Sequence, residues 1–174
     1  MSKTTLSFRI GDGVIEHNNR SFIPKNVNRK LIDDNIVYVQ KSIQETYQEI
    51  FGSALNEYNE KQKRSDRKIE NYFEHIKNSK QEKLFHEAVI QFGDKDSFGI
   101  GTDGGELAKK MLDEYMKGFQ ERNPHMKVFN AVMHLDEATP HIHVDFVPFA
   151  TEQKRGLSTR VSLKKALEQQ GVVA

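Results

Sequence analysis

The chain has 174 residues, 29% of them charged, a net charge of +1 and no cysteine. That length is enough for one domain with a real core, and no apolar run approaches the roughly 20 residues that span a bilayer. The missing cysteines exclude disulfides and thiolate ligands, so any metal site must be built from histidine and carboxylate.

In chain order, Thr4 to Ile10 alternates and reads as a strand with Leu6, Phe8 and Ile10 on one face. Nothing in this N-terminal stretch resembles a signal-peptide core, which fits a cytoplasmic protein. Gly11 to Gly13 is a turn, and the turn-prone Asn18-Asn19 pair puts His17 at a strand end or loop. Asn35 to Gln40 reads as a short strand. From Ser42 to about Lys61, Ile43, Tyr47, Ile50, Phe51, Leu55 and Tyr58 recur at helical spacing, and Ile69, Tyr72, Phe73 and Ile76 repeat the signal. These two helices form a hairpin around 42–80, an insertion in a single domain spanning 1–174. The charged run Glu60 to Lys68 between them reads as a solvated connection.

Lys83 to Phe92 reads as a strand, with His86 and Glu87 at its start, where they could approach the histidine site or be structural. Gly93 to Gly105 is a glycine-rich loop without the lysine-serine ending of a phosphate-binding loop. A helix from Glu106 to about Arg122 follows, with Leu107, Met111, Tyr115 and Phe119 in one stripe, and Asn123-Pro124 ends it. Beyond the central hairpin described next, Thr151 to Gly156 is a polar, basic loop and Leu157 to Gln170 a helix. The ending at Gly171 to Ala174 reads as a passage into a longer protein, of which this is the N-terminal domain.

The densest chemistry lies in His134-Leu-Asp-Glu-Ala-Thr-Pro-His-Ile-His143, between two alternating runs, Lys127 to Met133 and Ile142 to Phe149. Period two puts Asn130, Val132 and His134 on one face of the first strand, and His141, His143 and Asp145 on one face of the second. A turn through Asp136 to Pro140 pairs the strands as an antiparallel hairpin, with one apolar face and one that gathers His134, His141 and His143. Three imidazoles converging on an open face are the donor set of a catalytic metal site. Strands mixed with helices make the fold α/β or α+β: a central, mostly antiparallel sheet with helices on one face and the metal site on the other. Basic residues cluster near both ends, and Lys154, Arg155 and Arg160 are candidate DNA contacts, because phosphate neutralisation depends on local charge.

The ten-residue histidine stretch, followed by Val147-Pro148, resembles the metal motif of the plasmid mobilisation relaxases of the Mob/Pre (plasmid recombination enzyme, MobV-type) family. These belong to the HUH endonuclease superfamily, whose triplet His141-Ile142-His143 matches. The likeness extends to His17-Asn-Asn-Arg20, to Glu87 through Lys95 and to Gly156 through Ser162. The resemblance implies a relaxase that uses Mn2+ or Mg2+ to nick and rejoin one strand of DNA at a plasmid transfer origin, initiating conjugative mobilisation. It implies His17 as nucleophile, since no tyrosine lies near the N-terminus. Arg20 would stabilise the phosphate or position the strand, and Glu137 would orient His17 or act as a fourth ligand. The substrate is expected to be single-stranded or hairpin DNA, and a homodimer could form through a further C-terminal region. Two alternatives remain open from the residues: a DNA-binding module with a structural metal, and a hydrolytic nuclease with water in place of His17.

Overall fold

The computed structural model describes residues 5–11 and 13–172. The expectations for Lys3, Thr4, Asp12 and the last two residues lie outside the described residues. The chain forms two compact units. The first takes in the chain up to Gln40, His86–Arg122 and Asn130–Asp145. The second comprises Lys41–Phe85, Asn123–Phe129 and the chain from Phe146 onward.

The elements run β1 (Leu6–Ile10), α1 (Ile15–Asn18), β2 (Ile36–Gln40), α2 (Ile43–Glu60), α3 (Tyr72–Lys77), β3 (His86–Phe92), α4 (Lys95–Phe98), α5 (Asp103–Lys117), α6 (Phe119–Arg122), β4 (Met126–His134), β5 (His141–Ala150), β6 (Arg160–Val161) and α7 (Leu163–Gln169). A 3-10 segment, Arg29–Asp34, precedes β2. The fold is α+β, as expected.

In the first unit the strand order is β1-β3-β5-β4-β2, with β1 antiparallel to β3 and β2 antiparallel to β4. Ile90, Ala131, Met133, Ile142 and Val144 have no exposed surface and form its core. Helix α5 packs on β3 through a stripe different from the expected one. Gly105, Ala108, Leu112 and Met116 are the buried residues, whereas Leu107 and Met111 are exposed. The reason is close approach: a Cβ added at Gly105 would sit 2.2 Å from the Gly99 carbonyl oxygen. At its first turn, then, only a glycine lets α5 lie against the loop that precedes it. The helix starts earlier than Glu106, because the Thr102 side chain caps it by accepting from Gly105 N, and it stops at Gly118. The glycine-rich loop has structure of its own. It contains α4, capped by Asp94, and Ile100 donates its N–H to the Ala138 carbonyl at 3.1 Å.

In the second unit, Ser42 caps α2, which buries Tyr47, Phe51 and Ala54. Phe51 meets Tyr72 of α3 at 4.9 Å between ring centroids, and Tyr47 meets Phe73 at 5.4 Å. These contacts pack α2 against α3. The helix expected from Leu157 starts later, since Arg160 and Val161 pair as β6 with the end of β5, and Ser162 caps α7 at Leu163. No helix among the described residues is long and apolar enough to cross a membrane.

Candidate metal centre

Strands β4 and β5 bring the three predicted histidines together. Ring centroids of His134, His141 and His143 lie 4.8–5.2 Å apart. The histidine face of the sheet is more covered than an open face would be. His134 and Asp145 are fully buried, and His141 and His143 are each 8% exposed. The cover is α1 and the turn after it, where His17 lies in a helix rather than at a strand end.

Each of the three rings has one nitrogen anchored on a protein oxygen. His134 donates Nε2–H to the Asn18 carbonyl at 2.8 Å, and His141 donates Nδ1–H to the Thr139 carbonyl at 2.9 Å. His143 donates Nδ1–H to Glu87 at 2.6 Å. Carbonyl and carboxylate oxygens only accept, so each bond fixes the tautomer and leaves the other ring nitrogen with its lone pair. For His134 that nitrogen is Nδ1, which is buried and has no partner. An orphaned buried acceptor in a cluster of imidazoles fits a cation. Metal-capable donor atoms group in two overlapping sets, each within 4.8 Å: His17 with His134 and His143, and His134 with Glu137 and His141.

Burial favours neutral rings at His134 and His141. Burial pushes His134 down to about 3, against the opposing pull of the Asn18 carbonyl, and His141 and Arg20 push the same way. His141 is lowered by burial as well. Burial works against ionising Glu87, but hydrogen bonds from His143, Gly13 N–H and Asn18 outweigh it and hold its pKa at about 2. Neutral imidazoles beside a charged carboxylate are the protonation states that ligation requires.

His17 lies beside this cluster, its ring centroid 5.8 Å from His134 and 5.7 Å from His143. It lines a cleft of about 340 Å³ with Val14, Phe22, Glu87 and His143. Burial, then Arg20 and His143, lower its pKa below the ordinary value. Glu137 Oε1 stands among the rings, 3.9 Å from His17 Nε2, 3.7 Å from His134 Nδ1 and 4.0 Å from His141 Nε2. Its carboxylate is held by Arg20 at 2.7 Å and Asn26 at 2.9 Å.

Arg20 was expected to stabilise the phosphate or position the strand, and its guanidinium is turned into the protein. Nε and Nη2 grip both oxygens of Asp136 at 2.8 and 2.6 Å, and Nη1 donates to the His17 carbonyl. The bidentate pair is deeply buried, with Asp136 0% and the Arg20 side chain 6% exposed. Arg20 adopts φ of 54°, a strained conformation for a non-glycine residue, which aims the guanidinium inward. Lys154, Arg155 and Arg160 belong to the second unit, with the first two exposed and Arg160 half-buried.

Sequence reasoning missed the polar residues that hold the cluster. Asn18 donates to Glu87 at 2.7 Å and Asp145 at 3.0 Å, and Asn130 donates to Asp145 at 2.9 Å. Burial, partly offset by these donors, raises Asp145 to about 6. Of the two readings open for Glu87, structural or approaching the site, the structure has the second, as the partner of His143.

The family model described as plasmid recombination enzyme, Mob_Pre, matches residues 13–171. Among solved structures, the chain is similar to the MobM relaxase domain (MOBV; Mob_Pre), manganese-bound and bound to 22 nucleotides of plasmid pMV158 oriT DNA. That likeness has a TM-score of 0.52 at 24% identity, covering 90% of this chain and 74% of that one. A second structure of the domain, with 23 nucleotides and manganese, gives 0.50 at 26% identity over 88% and 72%. No curated protein matches the chain in sequence.

Proposed function

This chain belongs to the plasmid recombination enzyme (Mob_Pre) family, and we propose that it nicks and rejoins one strand of DNA at a plasmid transfer origin. The observation that carries the reading is the cluster of imidazoles His134, His141 and His143, each anchored through one nitrogen with the other left as a donor, with His134 common to two donor sets that take in His17 and His143 on one side and Glu137 and His141 on the other. These residues fit a divalent ion, manganese or magnesium, and the manganese in the MobM structures supports the former. When bound, the ion supplies Lewis-acid polarisation of the scissile phosphate.

The rest is done by the chain's own groups. His17 is the nucleophile: its lowered pKa keeps the imidazole neutral near pH 7, with a lone pair available. Attack forms a phosphorus–nitrogen bond and breaks the bond from phosphorus to the 3′ oxygen. The 5′ phosphate stays on His17, and the 3′ oxygen leaves as a hydroxyl with the proton that the attacking imidazole gives up. Reversal of the same step, with the 3′ hydroxyl attacking, rejoins the strand. Glu137 stands near His17 Nε2 and takes up the positive charge that develops on the ring. Arg20 is a positioning residue that ties the His17 carbonyl to Asp136 and Glu137. A tyrosine nucleophile has no support: Tyr38 donates to Asp113, Tyr47 to the Leu84 carbonyl, and no tyrosine lines the cleft at His17 among the described residues. Lys154, Arg155 and Arg160 supply phosphate contacts to single-stranded or hairpin DNA, and the plasmid substrate places the reaction in the cytoplasm.

The test is a denaturing gel of an origin oligonucleotide incubated with protein and manganese. The expected result is a covalent adduct at the 5′ end that brief acid destroys, since a phosphoramidate is acid-labile. His17→Ala should lose the adduct and keep manganese binding. An adduct that persists in His17→Ala overturns the assignment. A nick without adduct in either protein means hydrolysis by water, and no cleavage at all means a binding module.

A further inference from the structure

The second unit contains a groove of about 490 Å³ that the cleavage chemistry does not use, lined by α3, by the stretch before it and by β6. Three cations face it: Arg67, Lys68 and Arg160. Among the described residues none of them forms an ion pair, and the Arg160 Nε is shielded from solvent without a hydrogen-bond partner. Of the two carboxylates in the lining, Asp66 is already held by Arg64 at 2.6 Å, which leaves Glu82. The same groove presents flat rings. His75 is exposed and stacks on Tyr72, with centroids 6.0 Å apart and planes 17° from parallel, and Tyr58 is half-buried nearby in the lining. Tyr72 is fixed from below, since its hydroxyl accepts from Val161 N at 3.2 Å.

Unpaired cations beside a rigid aromatic stack are the two halves of single-strand recognition: charge for the backbone, ring faces for the bases. A purely anionic ligand would have no use for the stack, and an apolar one no use for three unpaired cations. We propose that this groove is a nucleotide subsite for single-stranded DNA, at a position of the substrate strand away from the cleaved phosphate. Successive backbone phosphates lie against Arg67, Lys68 and Arg160, one to each cation. A base continues the Tyr72–His75 stack, and Glu82 accepts from a base N–H, the ring N3–H in the case of thymine. The proposal rests on the DNA-nicking reading for its choice of ligand, but its residues are separate from the histidine cluster.

The experiment measures binding of the whole chain to oligo-dT of graded length by fluorescence anisotropy, with a salt titration, for the wild type and two variants. The exposed pair Arg67→Gln/Lys68→Gln removes charge, and His75→Ala removes the stacking face. The charge variant should shallow the slope of log affinity against log salt by about 1.4, or about 0.7 per single-strand phosphate contact. His75→Ala should weaken binding by roughly five- to a hundredfold, the scale of one lost base stack. That loss should disappear on a strand carrying an abasic site at the stacked position. Equal length dependence and equal salt slopes in wild type and variants overturn the subsite. Failure of the nicking reading looks different: the wild type would not cleave an origin oligonucleotide, while the variants would still lose affinity as described. Loss of oligo-dT binding without loss of the salt slope in the charge variant also overturns the proposal, because the phosphate contacts would then lie elsewhere.

Discussion

Arg20→Ala isolates the clamp that holds the His17 turn. Removing one partner of a buried ion pair costs about 3–5 kcal/mol, because the other charge is left unpaired. Asp136 is fully buried but keeps Asn35 at 2.8 Å, and Glu137 keeps Asn26, so the lower end, about 3 kcal/mol, is expected. In the wild type, burial opposes ionisation of Asp136, and the hydrogen bonds from Arg20 and Asn35 overcome it, so its pKa is lowered. A lowered carboxylate contributes stability above its unfolded value, about 3.9, and loses it as pH falls through the folded value. In the variant the arginine is gone and burial dominates, which raises the Asp136 pKa and reverses the sign. The variant is therefore penalised most at neutral pH and relieved as acid protonates Asp136. Urea unfolding at pH 7 and at about pH 4.5, both with chelator, reads the difference. Arg20→Gly should recover about 1 kcal/mol of this loss, since the backbone is left-handed there. A gap to wild type below about 1 kcal/mol at pH 7, or one that does not change with pH, would refute the clamp.

Glu87→Gln removes the charged acceptor of His143 and should weaken manganese binding about 10–100-fold in calorimetry, with the fold retained. Gly93→Ala should lower the melting temperature more than Gly101→Ala. Both have positive φ, 69° and 82°, but only at Gly93 would the new Cβ meet a side chain, the Phe98 ring at 2.0 Å. Equal losses at the two positions would mean that backbone conformation, not the Phe98 contact, dominates.

The histidine cluster was legible because its members fall within ten residues on strands of period two, so local spacing alone sets their common face. What completes each ligand was not legible. The partners of His134 and His143 come from Asn18 and Glu87, which lie 116 and 56 residues away along the chain. No local pattern encodes such a pairing. The α5 stripe failed for a related reason. Leu107, Met111 and Tyr115 make the stronger hydrophobic row, but burial went to the row beginning with Gly105 and Ala108, where small size permits contact. Hydropathy ranks side chains by their affinity for water and is blind to how closely two backbones must approach. Arg20 shows the same limit for charge. The His17-Asn-Asn-Arg20 spacing was visible, but Asp136 as its buried partner was not, and that partner decides whether the guanidinium meets protein or substrate.

Asn18 ties the proposed nucleophile, His17, to the proposed metal ligands, and it does so with two different groups. Its backbone carbonyl accepts from His134, and its side-chain amide donates to Glu87, which in turn holds His143. The residue next to His17 is thus latched to two of the three imidazoles through a four-residue helix too short to hold itself in place. Asn18→Ala separates the two latches, because the carbonyl remains while the amide is lost. Glu87 keeps His143 and Gly13, and Asp145 keeps Asn130, so the ligand rings should stay close to their places. The missing donor leaves buried carboxylate oxygens less satisfied, a loss of about 1–3 kcal/mol in stability. Manganese affinity should fall by less than about tenfold, whereas the rate of adduct formation should fall by about a hundredfold, since misplacing a nucleophile by about 1 Å has that effect. Calorimetry with manganese and single-turnover adduct kinetics give the two numbers on the same preparation. If affinity and rate fell by the same factor, Asn18 would be a support of the ligands alone, and the registration of His17 would have to come from the Arg20 clamp.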